Sequence, residues 1–212
     1  MLLELLMLIV GINIALWFEG KFEDMQETRT EHQYLEGLRA DLRTDLGSLN
    51  AIIGQNTAKI GRLEEIIHLV PHLAEAPNEQ QTASIFEPSS YVFFEPSDFT
   101  YRSMQESGDF RLLSDPATKE GILRLARQYR LIETLQVNFI QALDDQYIPL
   151  MMGSFDLSDM RIANPDLVNN LVFRNFFLFA LQDTRGRVHA LNSARDQANA
   201  LLGLIEDQLE GR

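Results

Sequence analysis

Leu35, Leu42, Leu49, Leu63 and Val70 recur every seven residues, with Asn56 in the one remaining slot. Leu38, Leu46, Ile52, Ile53, Ile60, Ile66 and Ile67 widen the stripe. This spacing predicts a long helix over residues 34–70 whose apolar face packs into a bundle seam. Pro71 stops it, since proline lacks the N–H and its ring clashes one turn back. A second long helix starts at Asp115-Pro116, a cap followed by proline at the first helical position. Ile122, Leu125, Tyr129, Ile132, Phe139, Leu143 and Leu150 carry it to about residue 152, with Pro149 disturbing its last turn. A third runs from about Asp166 to Leu209, bent near Arg174, with Phe177, Leu181, Thr184, Leu191, Ala198 and Ile205 on one face. The expected fold class is all-α: an elongated up-down-up helical bundle over residues 34–212.

A Pro-rich insert over residues 77–97 interrupts this pattern. It holds a near-repeat, Phe86-Glu87-Pro88-Ser89 and Phe94-Glu95-Pro96-Ser97. Between the copies, Tyr91-Val92-Phe93-Phe94 reads as a short strand or as a hydrophobic plug. Ser97 then caps a short helix that ends at Gly108.

Upstream of the leucine stripe, residues 2–18 form an apolar block interrupted only by Glu4 and Asn13. Seventeen residues is the lower limit for a helix crossing a ~30 Å hydrocarbon core. No small-residue cleavage site follows, so the block is expected to be an uncleaved transmembrane anchor over residues 1–18, with a helical stalk over residues 19–33. Flanking charge is mixed and does not orient it. The whole chain carries 18 Lys and Arg against 31 Asp and Glu, a net charge of -13. Such a surface repels phosphate backbones, which excludes nucleic acid as a partner. It also holds the domain off anionic lipid heads. Cysteine is absent, so disulfides and thiolate metal sites are excluded.

The anchor segment Glu4-Leu5-Leu6-Met7-Leu8-Ile9-Val10-Gly11-Ile12-Asn13-Ile14-Ala15-Leu16 resembles that of a family of uncharacterised single-span bacterial membrane proteins. So does the exit through Trp17, Phe18 and Glu19, and the segment Tyr34-Leu35-Glu36-Gly37-Leu38-Arg39-Ala40-Asp41-Leu42. The block from Phe94 to Tyr101, then Ser107-Gly108-Asp109-Phe110 and Leu112-Leu113, is similar to the family's middle motif. The chain departs from the family in lacking a basic segment before the anchor and in carrying Asn13 at an apolar position. The resemblance implies an inner-membrane, single-pass protein with a cytoplasmic amino terminus and a periplasmic bundle. It implies no known activity.

No motif names a reaction. His68 and His72 have ligand-like spacing, but Pro71 breaks the helix between them, and no metal site is expected. Asp144, Asp145, Asp156 and Asp159 lack the ligand order of a calcium loop. Neither a nucleophile elbow nor a phosphate-cradling loop occurs. The expectation is a non-enzyme without cofactor. The candidate residues are instead adhesive. In the anchor, Gly11 and Ala15 form a small-residue face and Asn13 can bond another span. On the first long helix, Ala40, Thr44, Gly47, Ala51, Gly54, Ala58 and Gly61 form a second line, stepping by four and three, opposite the leucine stripe. Such a line meets another molecule, the short helix or the Tyr91 plug of its own chain, or solvent. Tyr91 and Phe93 are the aromatic candidates.

An anchor, a rod and an adhesive face predict a structural accessory subunit that docks on or stabilises a larger membrane complex, or self-assembles, in contact with lipid. One specific form is a small subunit of a photosynthetic or respiratory assembly. The alternative is a sensor ectodomain binding a small ligand among Tyr91, Phe93, Phe94 and Tyr101.

Overall fold

The computed structural model describes residues 2–70 and 83–211; within the first twenty, only the side chains of Met7, Gly11, Asn13, Trp17 and Glu19 are described. The chain is all-α apart from one two-residue hairpin. Helix α1 runs over Leu2–Leu69, α2 over Phe99–Ser107, α3 over Pro116–Ala142, α4 over Ile148–Ser154 and α5 over Leu171–Glu210. Strands β1 (Phe155–Asp156) and β2 (Arg161–Ile162) pair antiparallel, Phe155 opposite Ile162. The contacts fall into two compact units, Met1–Thr44 with Ser97–Ile122 and Ala200–Arg212, and Asp45–Pro96 with Leu123–Asn199.

The leucine stripe behaves as its spacing demands. Leu35, Leu42, Leu49, Leu63 and Val70 are all buried. Asn56 is buried in the same line and satisfies its amide by donating to the Ile52 carbonyl of its own helix at 2.9 Å. A buried amide without that bond would cost about 1–3 kcal/mol.

In the second unit the direction of the helices differs from the up-down-up expectation. Tyr129 Oη donates to Asp45 Oδ2 at 2.7 Å, and fourteen residues further along α1 the Lys59 Nζ lies 5.4 Å from the Phe139 ring centre. Residue numbers on α1 and α3 rise together, so the two helices are parallel. Helix α5 runs against α3: Gln128 Nε2 donates to the Ala190 carbonyl, while Phe139 stacks on Phe179 and Tyr147 on Phe173. The Pro-rich segment makes the return. Ile85 lies at Tyr147, the Pro88 and Ser90 carbonyls at Lys59, and Phe94 at Gln136 and Tyr129. The described part of the insert, residues 83–97, is therefore a strap that descends along the helices, and residues 77–82 lie outside the described residues. The strap forms no strand, and Phe94 is the plug, buried against Tyr129.

A 3₁₀ turn at Glu87–Ser89 pairs some of the strap's backbone internally, the Ser89 N–H donating to the Phe86 carbonyl. Elsewhere the strap has no ladder, and buried N–H and C=O groups must be paired. Side chains of α1, α3 and the turn after α3 pair them. Gln136 meets the Phe94 backbone as a strand would, accepting from its N–H at 2.8 Å and donating to its carbonyl at 3.2 Å. Lys59 donates to the Pro88 carbonyl at 3.2 Å and to the Ser90 carbonyl. The Tyr147 hydroxyl donates to the Ile85 carbonyl.

Pro149 acts earlier than expected. Helix α3 opens into a π-turn over Leu143–Tyr147 before α4 resumes. The turn falls where the proline ring would crowd the carbonyl four residues back. It places Tyr147 fully inside the aromatic core with Phe173, Phe176 and Phe177. Helix α5 starts later than expected. Its N-cap is Asn170, whose Oδ1 accepts from the Val172 and Phe173 N–H groups, after a 3₁₀ turn over Pro165–Asn169.

The first unit shows why Gly37 sits in the stripe. A Cβ there would lie 2.8 Å from Thr100 Oγ1 and 2.9 Å from its Cγ2. One turn on, Asp41 Oδ2 accepts from the Thr100 N–H at 3.0 Å. An acid of α1 thus caps the start of α2, whose own Asp98 makes no side-chain cap bond to that end. The expected Ser97 cap is one residue too early. Gly108, at φ 79°, ends α2 in the left-handed form that glycine takes without strain. Asp115 caps α3 as expected, accepting from the Thr118 N–H and hydroxyl at 2.8 Å each, and those bonds hold its carboxyl below the usual range.

Replacing Gly37 with leucine should destabilise the fold by about 1–3 kcal/mol through overpacking, read as a lower midpoint in denaturant titration. An unchanged midpoint would mean that α2 does not seat on Gly37.

Candidate interaction surface

The line of small residues on α1 faces outward. Ala40, Thr44, Gly47, Ala51, Gly54, Ala58 and Gly61 are all exposed. A Cβ built on Gly47, Gly54 or Gly61 would meet nothing within 4 Å. Among the described residues, nothing from the short helix or the Tyr91 segment reaches these three glycines. Between Thr44 and Gly61 the only charged residues are Asp45 and Lys59, and both are buried. The exposed surface there consists of the small line with Asn50, Gln55 and Thr57. Thr44 and Thr57 donate their hydroxyls back to the Ala40 and Ile53 carbonyls, which lays both side chains against the helix. A chain of net charge -13 thus keeps a charge-free, shallow face about five turns long.

That face carries a cost with no return among the described residues. Each glycine in a helix interior costs ~1 kcal/mol relative to alanine. Gly37 admits Thr100 and Gly121 admits Leu201, whereas Gly47, Gly54 and Gly61 admit nothing.

The aromatic candidates are placed differently. Tyr91 is half-buried, stacked on Phe139 at 5.4 Å between ring centres, with the Arg187 guanidinium carbon 4.5 Å from its own. Its hydroxyl is buried without a hydrogen-bond partner among the described residues. Burial pushes that hydroxyl up to about 12. Tyr91 thus packs within its own chain on one face and stays half-exposed. Phe93 packs edge-on to Tyr91 and remains 50% exposed. Tyr101 pairs with Phe110 in the first unit. A recess of about 180 Å³, lined by Ile67, Val70, Leu171, Arg174, Asn175, Phe177 and Leu178, includes none of these aromatics and is below the usual size of a small-molecule pocket. A larger hollow of about 640 Å³ is lined by one face of α1 alone.

Behind the strap lies a buried charged cluster that the sequence did not reveal, because its members are spread over α1, the insert and α5. Lys59 and Arg187 are both buried. Arg187 Nε donates to Asp183 Oδ2 at 2.7 Å, and its guanidinium carbon lies 4.8 Å from the Phe139 ring centre. Arg62 is 2.8 Å from the Glu87 carboxylate. Burial, then the nearby Arg187 charge, lowers the Lys59 ammonium to about 8. Burial also raises the Asp183 carboxyl, against the pull of Arg187. The cluster has a structural task already, since Lys59 holds two strap carbonyls.

Gly11 and Asn13 of the apolar block are exposed, and a Cβ on Gly11 meets nothing within 4 Å. The side chains of Ala15 and Glu4 lie outside the described residues, as does most of the apolar block. Among the described residues, no helix is long and apolar enough to cross a membrane, and no group of three His, Asp or Glu side chains is placed to hold a metal ion. No protein-family model, curated protein or solved structure matches the chain.

Lys59 gives the fold a signed pH dependence. Its folded value of about 8 lies below the ordinary 10.5, so between these values the unfolded chain binds more protons and stability rises with pH. The gain from pH 7.5 to 9.5 is about 2 kcal/mol. Above pH ~10 the buried hydroxyls of Tyr91, Tyr129 and Tyr147, all raised by burial, reverse the trend: their stabilisation is lost as the unfolded tyrosines ionise. In Lys59→Met the rise between pH 7.5 and 9.5 should vanish in urea titrations, whatever the variant's absolute stability. A rise as steep as in the parent chain would show that Lys59 is not the group responsible.

Proposed function

We propose that this protein is a membrane-anchored structural subunit that docks on, and stabilises, a larger membrane complex through the outward face of α1. The observation that carries this reading is the charge-free line of small residues. Three of its glycines weaken the helix and, among the described residues, admit nothing from their own chain. A second backbone brought close along that line would supply the missing contact, as small residues allow elsewhere. A face built only for solvent is filled with good helix formers and charge.

The anchor in this proposal is the apolar block of residues 2–18, read from the sequence and continued by α1 into the stalk. The family resemblance supports an amino terminus in the cytoplasm and a periplasmic bundle. An energy-transducing complex is one assembly such a subunit would suit. No catalytic step is part of the proposal. The sensor alternative has less behind it, since Phe94 is buried and Tyr91 is stacked on Phe139, which leaves Phe93 as the exposed member of the group.

Gly54→Leu should leave the isolated chain folded, with stability equal or higher by about 1 kcal/mol. It should also reduce co-purification with the partner subunits in mild detergent. Normal assembly of this variant would remove the face from the proposal. A cysteine at Ser158, exposed in the β1–β2 turn, should react with a membrane-impermeant thiol reagent in intact spheroplasts; labelling only after lysis would place the bundle in the cytoplasm.

A further inference from the structure

The stretch of α1 that follows the apolar block stands exposed along the residues described there. Glu19 and residues 21–26 are all exposed. Three large apolar side chains stand out among them and beside them: Trp17 is 60% exposed, Phe22 70% and Met25 62%. Each is more exposed than covered, and in water that exposure is a liability. Resting on the membrane-anchored reading above, we infer that Trp17, Phe22 and Met25 form a collar seated in the headgroup zone of a lipid bilayer.

Three observations converge on that occupant. The collar begins where the apolar block of residues 2–18 ends, on the same continuous helix. Aromatic side chains with a polar edge concentrate at that depth of a membrane. At 1.5 Å per residue, Trp17 and Phe22 lie ~7.5 Å apart along the helix, about the thickness of one headgroup zone, with Met25 at its water edge. Charge then selects the lipid. Residues 19–29 hold Glu19, Glu23, Asp24 and Glu27 against Lys21 and Arg29. A collar with excess acid gains nothing from anionic headgroups, unlike a polybasic anchor. The contact is apolar and aromatic, suited to zwitterionic lipid.

Trp17 is the only tryptophan in the chain, so fluorescence reports on the collar alone. The full chain is reconstituted into phosphatidylcholine vesicles carrying a spin label near the headgroup or near the chain terminus. Expected are a blue-shifted emission and quenching by the shallow label at least about twofold stronger than by the deep one, unchanged when phosphatidylglycerol is added. Phe22→Ser, at an exposed site, should weaken the shallow quenching about twofold while the chain stays in the vesicle fraction. Vesicle-bound protein whose Trp17 is quenched by aqueous iodide and by neither lipid label would overturn the collar and leave the anchor intact. Stronger quenching by the deep label would overturn it too, placing Trp17 inside the hydrocarbon. A blue shift that depends on protein concentration, without lipid quenching, would assign the collar to a second copy of the chain. Failure of the chain to enter vesicles at all would overturn the membrane reading itself, and the collar with it.

Discussion

The fold depends on how an extended strap is hydrated by protein instead of water. Residues 83–97 cross the second unit with no strand beside them, and buried backbone groups left unpaired there would cost about 1–3 kcal/mol each. Gln136, Lys59 and Tyr147 supply the missing partners. Because the strap carries the chain back, α3 can start beside the part of α1 already made and run parallel to it. Without these three side chains, the economical connection would be a short turn after Pro71 and an antiparallel hairpin.

The same constraint explains why a lysine and an arginine are buried in a chain so acidic. Lys59 is held against carbonyl oxygens and the Phe139 ring, and Arg187 between Asp183 and two aromatic rings. Removing a partner from such a set leaves an uncompensated charge, which is far costlier than the set itself is stabilising. The strap and the charges behind it therefore stand or fall together.

Periodicity made the long helices legible, since burial along α1, α3 and α5 follows the spacing of Leu35 to Val70, Ile122 to Leu143 and Phe177 to Ile205. The caps at Asp115 and Gly108 were legible for the same local reason. What escaped was set by residues far apart in sequence. Asp41 caps α2 from 59 positions away, and Gln136 pairs with Phe94 across 42. No local rule reports such a pair, so the direction of α3 was misjudged. The small-residue line was visible as a pattern, but only the structure shows that its glycines admit nothing while Gly37 and Gly121 admit a neighbour.

The parallel arrangement of α1 and α3 also sets an order of events. Contacts between α3 and α5 close around one local hairpin, whereas the bond between Asp45 and Tyr129 spans 84 residues. Long loops cost more entropy to close and slow the search. On the ribosome α1 is made first, yet its leucine stripe has no partner until the strap, α2 and much of α3 have followed. For that interval the stripe from Leu49 to Val70 is a naked apolar seam on a growing chain, the condition in which chaperones bind and aggregation begins. A chain built this way matures from its carboxyl half inward, with its first helix the last to find its place.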